Sequence, residues 1–152
     1  MSQVDVRDQL AINAPKAEVW EAIKDPVVHT RWHPFTTKIE GLHERGATRK
    51  CDVIAGKKRG VTEERCSTFE EGKKILWRIE KDTTGFSKMV SDWETGFSLE
   101  SRGPESTLVE AQSTFEPRGL LVRLTAPLVK KKFHDTQQKI LGGLKQFVEE
   151  SR

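Results

Sequence analysis

Residues 119–152 read GLLVRLTAPLVKKKFHDTQQKILGGLKQFVEESR. Within them Phe133, Ile140, Leu141, Leu144, Phe147 and Val148 recur at threes and fours, the spacing of an apolar stripe on one face of an α-helix. Pro127 stands near the head of the run, where a proline kinks a helix or separates a leading turn from its main body. Gly142-Gly143 interrupts the stripe at a cost of about 1 kcal/mol per glycine relative to alanine at exposed sites, unless the missing side chains let another element come close. No other segment is long and apolar enough to cover a sheet, so the rest of the chain is expected to shape itself around this helix.

Working back from it, the chain reads as strands. In 106–116, Val109, Ala111, Ser113 and Phe115 share one face. Arg102-Gly103-Pro104 separates this strand from the longest one, 86–100, where Met89, Trp93, Phe97 and Leu99 share a face with Ser91 and Thr95. Segment 74–81 places Ile75, Trp77 and Ile79 together, and 61–69, 48–55 and 35–42 precede it, divided by glycine-containing turns at Gly72, Gly56 and Gly46. The first strand has Val4, Val6, Leu10 and Ile12 on one parity, broken by Asp8. These connections are too short for helical crossovers, so the pairing is antiparallel.

Two short helices fit between the first strand and the others. Pro15 suits a helix start, because the first turn needs no amide donor, and Val19, Trp20 and Ile23 give 16–24 an apolar stripe. Asp25-Pro26 ends that helix and opens a second, with Asp25 as its cap, that closes at Trp32 and Pro34. The expected architecture is α+β: one domain over 1–152, with a seven-stranded curved antiparallel sheet around a long C-terminal helix and two short helices between strands 1 and 2.

Bulk properties narrow the function classes. Of 152 residues, 35% are hydrophobic and 32% charged, and the formal charge is only +3, too small to imply nucleic-acid binding. The charge is uneven: from 118 to 152 there are eight Lys or Arg against three Asp or Glu, densest at Lys130, Lys131 and Lys132. Such a run is a solvated helix face or a contact with an anionic surface. Cys51 and Cys66 lie in no metal or redox spacing and read as two buried thiols. The N-terminus lacks a basic-then-apolar leader, and no window approaches the ~18 apolar residues of a membrane span. A cytoplasmic protein without stable membrane insertion is expected.

A bent sheet closed by a single helix fills poorly at one end unless large side chains or a ligand occupy the gap. Apolar faces with occasional hydroxyls suit an apolar guest oriented by one or two polar contacts. Trp77 and Trp93 are the best candidates for lining, since an indole is hard to bury whole and brings a donor that needs a partner; Met89, Phe97 and Ser113 share their faces. Trp32 and Phe35 flank the hand-over from short helices to sheet, where they form either the lip of a cavity or, for Trp32, a plug in a hydrophobic corner.

Signs of chemistry are sparse. His29, His33, His43 and His134 show no metal-ligand spacing, although His29 and His33 share a helical face, and they are expected at the rim or in solvent. There is no nucleophile elbow, phosphate loop or dinucleotide fingerprint, so no metal and no cofactor is expected. Tyrosine is absent. An acid–base mechanism needs an inward ionisable group, and either Glu63 with Arg65 or Glu64 with Cys66 faces inward; parity alone does not choose.

The run from Ile12 through Asn13-Ala14-Pro15-Lys16-Ala17-Glu18-Val19-Trp20 to Ile23, followed by Asp25-Pro26 and Trp32-His33-Pro34, resembles the helix-grip fold of the START and Bet v 1-like (SRPBCC) superfamily. Gly60-Val61-Thr62-Glu63 and Ile75-Leu76-Trp77-Arg78 fit its later strands. The likeness spans nearly the whole chain and is nearest the bacterial polyketide cyclase/dehydrase and lipid-transport branch. It implies a cup for a small or medium apolar molecule such as a lipid, polyketide or aromatic metabolite. It also implies pocket roles for Trp77, Met89, Trp93, Phe97 and the stretch from Leu121 through Leu124 to Leu128. No catalytic motif defines the branch, so no catalytic residue carries over. Three function classes follow: a carrier or sensor of an apolar ligand, a cyclase/dehydrase-like enzyme using general acid–base chemistry, and a chaperone-activating or other interaction module. The partner expected is a small apolar molecule rather than nucleic acid, and the protein is a monomer or homodimer.

Overall fold

The computed structural model describes residues 3–152. Strand β1 (Val4–Ile12) leads to helices α1 (Lys16–Lys24) and α2 (Pro26–Trp32). Strands β2 (Thr36–Gly41), β3 (Thr48–Ala55), β4 (Lys58–Glu70), β5 (Lys74–Asp82), β6 (Val90–Gly103) and β7 (Ser106–Pro117) follow. Helices α3 (Gly119–Leu124) and α4 (Ala126–Glu150) close the chain. The seven strands form one antiparallel sheet in the order β1-β7-β6-β5-β4-β3-β2. The sheet wraps α4, in the helix-grip topology the sequence implies.

Local chemistry sets the element ends. The Asp25 carboxylate accepts from the Val27 and Val28 amides at 2.9 and 3.2 Å, capping α2, while its own N–H closes α1 on the Glu21 carbonyl. One residue thus stops one helix and starts the next. The buried stripe of α4 is Val129, Phe133, Gln137, Leu141, Leu144 and Val148, and each apolar member is worth about 1.5–3 kcal/mol when fully buried. Pro127 lies in the first turn of α4, so the break at Thr125 makes α3 the separate leading turn. At Gly143 a Cβ would stand 2.6 Å from the Trp32 carbonyl oxygen; the glycine is there because α2 and α4 touch backbone to helix.

The fifth strand segment is shorter than periodicity suggests. Residues Phe86–Lys88 form a 3₁₀ turn. The Asp82 side chain accepts from the Thr84 and Ser87 amides, both at 2.9 Å, and this local bonding competes successfully with strand pairing. Met89 ends that turn outside the strand. Asp8, the break in the first strand's apolar parity, does face α4: it accepts from Gln137 Nε2 at 2.8 Å and lies 2.9 Å from His134 Nδ1.

Candidate ligand-binding site

Strands β5 and β6 pair only from Lys74–Ser98 to Arg78–Glu94. Within that stretch the backbones run so close that a Cβ on Gly96 would lie 2.0 Å from the Ile75 carbonyl oxygen. Beyond it the strands part. The register of β6 slips between Ser91 and Glu94, and Asp92 adopts φ 50°, the one non-glycine with positive φ among the described residues. This is a bulge, a device that bends a strand and re-aims a side chain. Arg78 holds it from β5, with its guanidinium 2.8 Å from the Asp92 carboxylate. In the wedge between the parted strands lies a cavity of about 330 Å³, whose border is mostly polar, with Glu80, Asp82, Lys88, Asp92 and Arg118 among it, and whose apolar members are Ile79, Val90 and Trp93.

The bulge turns Trp93 toward α4. Its ring lies 5.1 Å from Phe86 and 6.0 Å from Phe133, perpendicular to the latter, and Phe133 stacks on Phe115 at 4.4 Å. These rings belong to an apolar cluster completed by Val6, Val90 and Val129, with Val122 of α3 packed over it. Trp93 Nε1 is buried and has no hydrogen-bond partner among the described residues. An unmet indole donor among apolar rings costs about 1–3 kcal/mol.

Beside this nest runs a line of bonded polar groups. Thr95 Oγ1 lies 3.0 Å from Ser113 Oγ, which donates to Gln137 Oε1 at 2.8 Å. Gln137 Nε2 then donates to Asp8. The hydroxyls therefore sit on the concave face with their bonding already met.

At the opposite end the interior is ionic. Arg49 is bonded to Glu64 Oε1 through Nε at 3.0 Å and a terminal nitrogen at 2.8 Å. Thr62 donates to Glu64 Oε2 at 2.6 Å. The other terminal nitrogen of Arg49 donates to His43 Nε2 at 2.7 Å. Because a guanidinium only donates, His43 must be the neutral tautomer with its proton on Nδ1, directed at the end of α1. His29 is neutral as well, with Nδ1–H donating to the Ile23 carbonyl at 3.0 Å. His33 Nδ1 accepts from the Phe35 and Thr36 amides at 3.1 Å each. Burial, reinforced by the Arg49 charge, holds His33 and His43 down at about 3 and lowers His29 well below its ordinary value. Burial pushes the Cys51 thiol up to about 12, and both cysteines are free and buried.

The predicted residues divide between the two ends. Trp77 and Phe97 are core residues of the ionic end, their rings 6.5 Å apart. Trp32 plugs the corner beside them, donating from Nε1 to the Ala22 carbonyl at 2.7 Å, and Phe35 is half-buried against His33. Trp93 and Ser113 belong to the wedge end. Met89 is 37% exposed, because the 3₁₀ turn removes it from the strand face. Leu121, Leu124 and Leu128 point outward, and Val122 is the residue of that stretch that turns in. Two expectations are corrected: His29 and His43, expected at the rim, are 1% and 5% exposed in the interior. Glu64 with Cys66 is the inward pair. Arg49 was open to detection, since it shares strand parity with Cys51.

The profile of the polyketide cyclase / dehydrase and lipid transport family matches residues 3–149. The chain belongs to that family. No curated protein matches it. Among solved structures, this family member is similar to a START superfamily protein from Mycobacterium smegmatis, with 20% identity, TM-score 0.79, and 97% of this chain and 99% of that one covered. It is also similar to the Zhui aromatase/cyclase from Streptomyces sp. R1128, at 17% identity, TM-score 0.77 and coverage of 97% and 94%. Norcoclaurine synthase from Thalictrum flavum, solved in complex with dopamine and hydroxybenzaldehyde, matches at 11% identity, TM-score 0.75 and coverage of 99% and 89%. At these identities the likeness establishes the shared cup-shaped fold. Among the described residues no helix is long and apolar enough to cross a membrane.

Proposed function

We propose that this family member binds a small, largely apolar molecule, such as a lipid fragment, polyketide or aromatic metabolite, at the wedge end of its interior. The observation that carries the reading is Trp93: an indole in an aromatic nest that borders a cavity of about 330 Å³, with a buried N–H that nothing bonds. That volume lies in the range of small-molecule sites. A ligand enters by prising β5 and β6 further apart beyond Arg78, where no backbone pair joins them and the Arg78–Asp92 ion pair is the cross-strand contact that gives way. Its apolar body replaces contacts between Trp93 and Phe133, and its one acceptor receives a hydrogen bond from the Trp93 N–H. Phe86 packs against Trp93, and Phe115 against Phe133. The small aromatic ligands of the norcoclaurine synthase structure and the aromatase/cyclase likeness favour aromatic guests.

A cyclase-like reading has less support. The inward carboxylates such chemistry needs are Glu64, with both oxygens engaged by Arg49 and Thr62, and Asp8, held by Gln137 and His134. The test is calorimetric titration with naphthols and medium-chain fatty acids. Binding is expected, and Trp93→Phe, which keeps a ring and removes the donor, should weaken naphthol binding about five- to tenfold, the worth of one hydrogen bond. Absence of heat with every compound, or equal affinity in the variant, refutes the proposal.

A further inference from the structure

Among the described residues, seven large hydrophobic side chains are conspicuously exposed, and four of them fall within nine residues: Leu120 at 73%, Leu121 at 75%, Leu124 at 71% and Leu128 at 69%. In α3, Leu120, Leu121 and Leu124 lie within one arc of the helix while Val122 points into the core. Leu128 prolongs the ridge onto the outer face of α4, opposite Val129 and Phe133. Scattered surface leucines need no explanation, but a continuous apolar ridge marks an interaction face.

The charges beside the ridge identify what it meets. From Arg118 to Lys132 the chain carries Arg118, Arg123, Lys130, Lys131 and Lys132 and no Asp or Glu. Arg123 flanks the leucines on one side, and Lys131 follows Leu128 one turn along the same outer face. A second copy of this chain would set like charges against like. A neutral apolar partner would leave the cations unmatched. An apolar ridge rimmed by uncompensated cations fits the boundary between headgroups and acyl chains of an anionic bilayer, with leucines below the headgroups and cations among the phosphates.

We infer that α3 and the first turns of α4 dock this protein, reversibly, on an anionic lipid surface. The docking face adjoins the wedge: Arg118 borders the cavity, and its backbone N–H donates to the Met89 carbonyl at 2.8 Å. The inference does not depend on any cargo. It holds for the empty protein and concerns a surface, not an interior.

The experiment is co-sedimentation of the full chain with vesicles of phosphatidylcholine alone and of phosphatidylcholine with phosphatidylglycerol. Binding to the mixed vesicles should exceed binding to the neutral ones at least tenfold and fall as salt is raised. The Leu121→Ser/Leu124→Ser/Leu128→Ser variant, altered only at exposed positions, should keep its melting temperature and lose at least tenfold in binding. Lys130→Gln/Lys131→Gln/Lys132→Gln should weaken binding and flatten its salt dependence. Equal binding to both vesicle types, no binding to either, or unchanged binding by the leucine variant overturns the inference. A dimer in solution that the leucine variant abolishes, with no vesicle binding by the native chain, assigns the ridge to a second copy and overturns it too.

Discussion

The guanidinium carbon of Arg49 lies 3.7 Å from the ring centre of Trp77, while the same group is locked edgewise to Glu64. A cation is thus sandwiched into the core, with one face on an indole and its rim on a carboxylate and an imidazole. The side chains of Arg49 and Glu64 are 7% and 8% exposed, so neither charge is shared with solvent. Removing one partner leaves the other buried and uncompensated. Arg49→Ala and Glu64→Ala should each lower stability by about 3–5 kcal/mol in urea unfolding, and replacing both with apolar residues of similar volume should restore most of it.

Stability should fall in acid through the histidines. Unfolded histidine titrates near 6.5, whereas His33 and His43 in the folded chain stay neutral down to about 3 and His29 is also depressed. The unfolded chain therefore binds more protons throughout that interval. The stabilisation is complete above pH 6.5 and drains away as pH falls toward 3, by up to about 1.4 kcal/mol per pH unit for each histidine. Urea midpoints at pH 7, 6 and 5 should decline accordingly, and His43→Gln should flatten the slope by one proton's share.

The two adjacent glycines of α4 should respond oppositely to alanine. Gly142 has nothing near its Cβ position, so Gly142→Ala should raise stability by about 1 kcal/mol, the helix-propensity difference. A Cβ at Gly143 would stand 2.6 Å from the Trp32 carbonyl oxygen, so Gly143→Ala should lower the melting temperature despite the same propensity gain.

Gln137 joins three elements, accepting from Ser113 and donating to Asp8 and to the Val6 carbonyl. Gln137→Leu strands those groups and should cost about 1–3 kcal/mol in chemical denaturation. Pairing it with Ser113→Ala, which removes one stranded hydroxyl, should recover part of the loss.

The scaffold was open to sequence reasoning because its signals are local. The stripe of α4, the Asp25 cap and the strand parities each lie within a few residues, and the elements formed where those patterns predict. What stayed hidden depends on partners far along the chain. Asp8 looks like an error in an apolar face until Gln137, 129 residues later, packs on it. His29 and His33 look like surface residues because nothing near them in sequence announces Arg49 and Glu64, and His43, six residues before Arg49, lies between strands where parity gives no facing. The outward turn of Leu121, Leu124 and Leu128 is hidden for another reason: an exposed apolar ridge has the same composition as one that is packed. Met89 lies outside the strand because a single aspartate, Asp82, recruits amides that would otherwise enter the ladder.

The short ladder between β5 and β6 divides the sheet mechanically. One plate is β1-β7-β6 and the other β5-β4-β3-β2, joined by a hinge only as long as Lys74–Arg78. Thermal bending concentrates where restoring bonds are fewest, so the two curved plates should flex about that short ladder. Backbone amides of Ile79–Asp82 that point toward β6 should exchange with deuterium faster than those of Ile75–Trp77, and under the proposed function the angle between the plates would set the size of the guest.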